Sequence, residues 1–248
     1  MEKIFPNDRM SKRERVLATL NHQSVDRCAL MEQLSFNPQV IADWTGKPII
    51  GFDYTVDDIC AVIRQTMDLI MPPVAPRGSE RVTDQDGFVW QHDNWTTWLA
   101  SRPFDDEEGG RKWLEKRILD LRNSHIDADK TRREWGKYMR DLQDKIGETQ
   151  ILAYPINTGL CAIYGDGGMG LEIFSFFHAD HPDVTHEFMA LNMRRGLERL
   201  HAIGDEYASV SPVVLVAEDF ATKQGPIFPP EFLGILWILV TIASNNKT

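Results

Sequence analysis

The chain has 248 residues, 42% hydrophobic and 26% charged, long enough to bury a core and typical of a folded globular protein. Its 27 Lys and Arg stand against 37 Asp and Glu, a net charge of -10, and no basic cluster offsets this, which argues against a phosphate-backbone binder. Cys28, Cys60 and Cys161 form no Cys-x-x-Cys pair and the charged start holds no apolar leader, so a cytoplasmic protein with reduced thiols is expected, without membrane or nucleic-acid partners.

In chain order, "SKRERVLATLNHQ" predicts a helix with Ser11 as N-cap and Glu14 closing a capping box. The apolar run Cys28 to Met31, ending in Glu32 and Gln33, reads as a buried strand. "NPQVIADWTG" gives a short helix with Asn37 as cap, Pro38 first and Gly46 as stop. "TVDDICAVIRQT" gives another, and "MDLIMPP" a strand stopped by two prolines. Residues 82 to 98 read as a hairpin turning at Asp86-Gly87, its tryptophans packing rather than stacking bases. Two charged outer helices are expected from Asp105 to about Gly147, so that 83–147 forms a hairpin plus helical insertion. "TQILAYP" is a third buried strand, helices start near Leu171 and run from Pro182 to His201, and "PVVLVAED" is a fourth strand. Buried strands alternating with helices predict parallel βα units, hence an α/β sheet or barrel.

In such barrels functional groups sit at the C-terminal strand ends. The strands end in Glu32-Gln33, Pro72-Pro73, Tyr154-Pro155 and Glu218-Asp219. Of two adjacent strand residues, one faces the mouth and the other turns away. Other motifs carry less. "GDGGMG", Gly165 to Gly170, spells G-x-G-x-x-G, but ten residues separate it from its strand, so it reads as a flexible loop over the mouth. His178 and His181 flank a helix boundary without a third ligand nearby, so no metal is expected and a capping or surface role is.

"RERVLATLNHQSVDRCALMEQ" resembles the opening of the uroporphyrinogen decarboxylase superfamily, and "TQILAYP" with its Gly-rich loop resembles the central strand. "VLVAEDFATKQGPIFPPEF" is similar to that family's strand-loop-helix with an acidic strand end. The resemblance spans residues 11 to 233 and implies a (β/α)8 TIM-type barrel, here partial. Decarboxylases of the family carry Met-Arg-Gln-Ala-Gly-Arg-Tyr after the first strand, whereas this chain has Met31-Glu32-Gln33-Leu34-Ser35-Phe36-Asn37. Their essential Asp after the second strand is also missing, with no acid before Glu80. The resemblance therefore implies the cobalamin-linked methyltransferase branch, with an acidic, arginine-poor mouth suited to a neutral or cationic methylated substrate.

On this reading Asp219 and Glu32 are the catalytic candidates, and Gln33, Asn157, Tyr164 and Glu218 the substrate contacts. A corrinoid is the implied methyl carrier, and a small molecule or a corrinoid protein the partner; the His-x-Cys and later Cys of zinc-using members are missing from the sequence. The alternatives are decarboxylation of a tetrapyrrole and an inactive fragment. The last expectation concerns residues 234–248, "GILWILVTIASNNKT", an apolar tail that suggests truncation after the fourth or fifth βα unit and self-association through an open edge.

Overall fold

A computed structural model describes residues 4–33, 36–152, 163–211, 213, 215 and 221–228. Most of the expected fourth strand and all of the 234–248 tail lie outside the described residues. The fold is mixed α/β. Its described helices are α1 (Lys12–Leu20), α2 (Pro38–Thr45), α3 (Val56–Thr66), α4 (Glu107–Asn123), α5 (Ala128–Ile146), α6 (Leu171–Asp180) and α7 (Pro182–Val210). The strands are β1 (Met31–Glu32), β2 (Leu69–Ile70), β3 (Arg77–Thr83), β4 (Val89–Asn94), β5 (Thr96–Ser101), β6 (Gln150–Ile151), β7 (Ala221–Thr222) and β8 (Gly225–Pro226). No described helix is long and apolar enough to cross a membrane. The described strands close no barrel.

The chain divides into two compact units: Met1–Pro103, Asp127–Tyr154 and Ala202–Leu215 form the first, and Phe104–Ile126, Pro155–His201 and Val216–Thr248 the second. The first is organised by a parallel sheet in the order β1-β2-β6, pairing Met31 with Leu69, and Leu69 with Gln150. Side chains alternate along a strand, so Leu69 and Leu152 share one face with Val16 of α1, while Ile70 and Ile151 share the other with α3 and α5. Both faces are covered, which is why these strands read as unbroken apolar runs.

The helices follow from their caps and stripes. Ser11 and Glu14 make the reciprocal capping box of α1, and Thr55 with Asp58 that of α3. Asn37 caps α2 ahead of Pro38, and Gly46 ends it at φ 69°, a left-handed turn that a side chain would strain. Ile59, Val62 and Ile63 of α3 recur at i, i+3, i+4 and are at most 2% exposed. Each contributes roughly 1.5–3 kcal/mol by leaving water. On α5, Trp135, Met139, Leu142 and Ile146 make the facing stripe, and Trp135 stacks on Tyr207 with ring centroids 5.4 Å apart.

Three expectations change. The hairpin of residues 82–98 is a three-stranded antiparallel meander, β3-β4-β5, because β5 adds to the free edge of β4. The helix from Pro182 runs on to Val210 rather than stopping at His201, since Ala202, Ile203 and Tyr207 continue its apolar side into the first unit's core. The Gly165–Gly170 segment is a structured turn, not a flexible loop. Gly168 N–H bonds the Gly165 carbonyl, Met169 N–H the Ile163 carbonyl at 2.7 Å, and the Met169 side chain is 1% exposed. Met169 thereby joins the second unit's core with Leu114, Ile118, Phe174, Phe177 and Phe188.

Candidate functional site

Beyond β2 the chain cannot continue its ladder: Met71 N–H makes a last bond to the Glu32 carbonyl, and Pro72 and Pro73 have no N–H to offer. The extended segment that follows leads into the meander. At the far end of β4, Asp93 pairs with Thr96, leaving Asn94 and Trp95 as a two-residue turn. Asn94 sits at φ 57°, a conformation Asn tolerates better than most residues because its short polar side chain bonds locally. Trp95 is held at the tip, half exposed, its ring edge-on to Phe52 with centroids 4.5 Å apart.

Between these parts lies a cavity of about 520 Å3. Its floor is the C-terminal end of the parallel sheet, where Gln33 and Phe36 follow β1 and Ile70, Met71, Pro72 and Pro73 close β2. Its opposite wall is one face of the meander. His92 and Asn94 stand two apart on β4, Thr97 is the ladder partner of His92, and Arg77 that of Asn94. His92 is 9% exposed, with Nδ1 2.8 Å from the Thr97 hydroxyl; its other ring nitrogen makes no hydrogen bond among the described residues. Arg77 carries the only permanent charge on the described lining, and no described carboxylate pairs with it.

A second hollow, of about 560 Å3, lies at the opposite end of the same sheet, beside Asp68 at the entry to β2. Here a buried ionic network ties α1 to the sheet. The Arg15 guanidinium is fully buried and bonds Asp26 at 2.8 and 3.0 Å, Asp68 at 2.7 Å and the Met10 carbonyl at 2.9 Å. Arg27 reaches Asp68 at 2.5 Å and Asp8 at 2.9 Å. Burial pushes the Asp68 carboxyl up, but donors from Arg27, the Leu30 N–H and Arg15 outweigh it and hold the group below the ordinary carboxylate range. Burial pulls the Lys12 ammonium down, against the carboxylates of Asp68 and Glu148, while its Nζ donates to the Arg64 carbonyl and the Thr149 hydroxyl. Every strong charge in the network is answered internally, so this end of the sheet holds the fold together and the other end is the candidate site.

The sequence-based candidates distribute unevenly. Gln33 lines the cavity. Glu32 ends β1 just before it, half-buried, with Oε1 accepting from the Gln33 N–H at 2.8 Å. Tyr164 belongs to the second unit, where its ring lies 5.2 Å from Phe228 and 6.0 Å from Phe174 among core aromatics. Asn157, Glu218 and Asp219 lie outside the described residues. One arginine, Arg77, stands on the cavity wall, brought there by the register of β3 against β4. Of the histidines, His178 bonds the Thr185 hydroxyl at 2.6 Å, and burial, then the nearby His186, hold it below the usual imidazole range. His181 caps α6, and no group of three His, Cys, Asp or Glu among the described residues is placed to hold a metal.

The chain matches no known family model, no curated protein and no solved structure. Arg77, His92, Asn94 and Thr97 share a face only through strand register, which residue type does not disclose; the alternate spacing of Trp90, His92 and Asn94 is the signal the sequence carries.

Proposed function

We propose that the chain is a partial (β/α) barrel of the uroporphyrinogen decarboxylase superfamily, on its methyltransferase-like side, and that the cavity binds the small-molecule participant in methyl transfer. One observation carries this reading: the cavity sits at the C-terminal ends of adjacent parallel strands, β1 and β2. That is where barrel enzymes hold their substrates, and the sequential order β1-β2-β6 is how the first strands of such a barrel run. At about 520 Å3 the cavity has the volume of sites for drug-sized molecules.

The described residues do not fit a corrinoid, which is several times larger than a molecule that this cavity encloses, and none of them is assigned to one. Methyl transfer needs its donor and acceptor held in line and kept from water. Phe36, Ile70, Met71, Pro72 and Pro73 supply the apolar enclosure, and Gln33, His92 and Arg77 the polar groups that orient a substrate.

The test uses a small thiol as methyl acceptor, with methoxyaromatic acids and methylamines as donors. Formation of the methyl thioether, with release of the phenol or the demethylated amine, should accelerate when the chain is added, and Val74→Trp, which fills the cavity from its rim, should abolish the acceleration. An unchanged rate with every donor class refutes methyl transfer.

A further inference from the structure

We infer that the cavity selects a flat organic monoanion, its carboxylate held by Arg77 and its apolar body laid along the proline-rich floor. This rests on the reading of the cavity as the ligand site and replaces the expectation of a neutral or cationic substrate.

The chain as a whole is strongly acidic, at -10, yet the described lining holds one guanidinium and no carboxylate. The sign of this wall is thus a local feature and not an echo of composition. A cationic ligand would sit beside Arg77 with no described carboxylate to offset the repulsion. A carboxylate meets the planar fork of a guanidinium in a paired geometry that gives both orientation and strength. The partner is also ready. Arg77 makes no ion pair among the described residues, so no internal bond has to break before it takes a ligand.

The neighbouring groups fit the same class. His92 stands on the cavity wall with Thr97 and Asn94, and its second ring nitrogen, without a hydrogen bond among the described residues, is left to make a directional contact with a second polar atom of the ligand. Phe36, Pro72 and Pro73 on one side and Trp95 on the other leave flat apolar surface for a ring. One guanidinium matches one carboxylate. A tetrapyrrole with many acid groups would leave most of them unanswered on an apolar floor.

The probes are 4-methylbenzoate and its uncharged near-isostere 4-methylbenzamide, titrated calorimetrically into the full chain. The acid should bind about tenfold or more tighter than the amide, a difference of about 1.4 kcal/mol per factor of ten. Arg77→Gln should remove that preference, and Arg77→Lys should restore only part of it, since an ammonium lacks the paired geometry. Added salt should weaken binding of the acid alone. Arg77 is exposed and unpaired among the described residues, so the variants should keep the wild-type circular dichroism and melting temperature. Equal binding of amide and acid, or a preference that survives Arg77→Gln, overturns the anion assignment while leaving the cavity a ligand site. Binding of neither probe overturns both.

Discussion

Arg15→Met is the sharpest probe of what holds the first unit together. The substitution keeps an unbranched side chain of similar reach in a fully buried position. It removes the guanidinium that bonds Asp26 twice, Asp68 once and the Met10 carbonyl once, and that lies 2.9 Å from Asp8. Deleting one partner of a buried ion pair typically costs about 3–5 kcal/mol, because the other charge stays buried. Arg27 and the Leu30 N–H still serve Asp68, whose side chain is fully buried, so the lower end of that range applies. Against a total stability of about 5–15 kcal/mol the loss is large. Urea unfolding followed by circular dichroism at neutral pH should show a markedly lower midpoint for Arg15→Met. Acid supplies a second arm. The folded Asp68 carboxyl lies below its ordinary range, so its ionised form contributes stability above the unfolded-chain value of about 4, and the contribution fades as pH falls through the lower folded value. Asp68→Asn lacks that contribution, so its deficit relative to wild type should shrink below about pH 4. A variant Arg15→Met within about 0.5 kcal/mol of wild type would refute the reasoning, since that is the scatter of inert surface changes.

Three further outcomes are expected. Tyr54→Phe should leave the melting temperature unchanged or raise it, by up to about 1 kcal/mol in stability, because the buried Tyr54 hydroxyl has no hydrogen-bond partner among the described residues; a clear drop would reveal a partner in solution. Gly109→Ala should cost about 1–3 kcal/mol in chemical unfolding, since its new methyl would lie 2.6 Å from the Phe104 Cβ. Gly110→Ala should cost less, since its closest neighbours are side-chain ends, Met169 Cε at 2.9 Å and Ile173 Cγ2 at 3.2 Å, with none below 2.9 Å. Asn94→Val should weaken 4-methylbenzoate binding and lower stability by about 1–2 kcal/mol by forcing a β-branched residue to φ 57°, while Asn94→Gly keeps both in thermal melts and titrations.

What the sequence discloses is local. The caps at Ser11, Asn37 and Thr55, the stop at Gly46 and the turn at Gly87 each act within four residues, and all can be read from residue type. The parallel strands are legible as apolar runs, though among the described residues each pairs over only two, the prolines after β2 and the turn before β6 limiting the ladders. β5 stays hidden: "TTWLAS" has little alternation, and five of its six residues are exposed. The ionic network joins positions 8, 15, 26, 27 and 68, and no window on the sequence brings these together. The site follows the same rule. Gln33 is found by following a strand to its end, whereas Arg77 faces the cavity only through its pairing with Asn94.

The first unit is stitched from three separate stretches of chain, the last being Ala202–Leu215. Synthesis runs from the N-terminus, so Trp135, Met139 and Ile146 leave the ribosome well before Ala202, Ile203 and Tyr207, which complete their core. For the whole interval in which residues 155–201 are being made, the apolar stripe of α5 lacks its last covering layer, and Trp135 lacks the ring it stacks on. A nascent chain halted in that interval would be a natural client for chaperones that hold exposed apolar surface, and release past Leu215 would end the dependence.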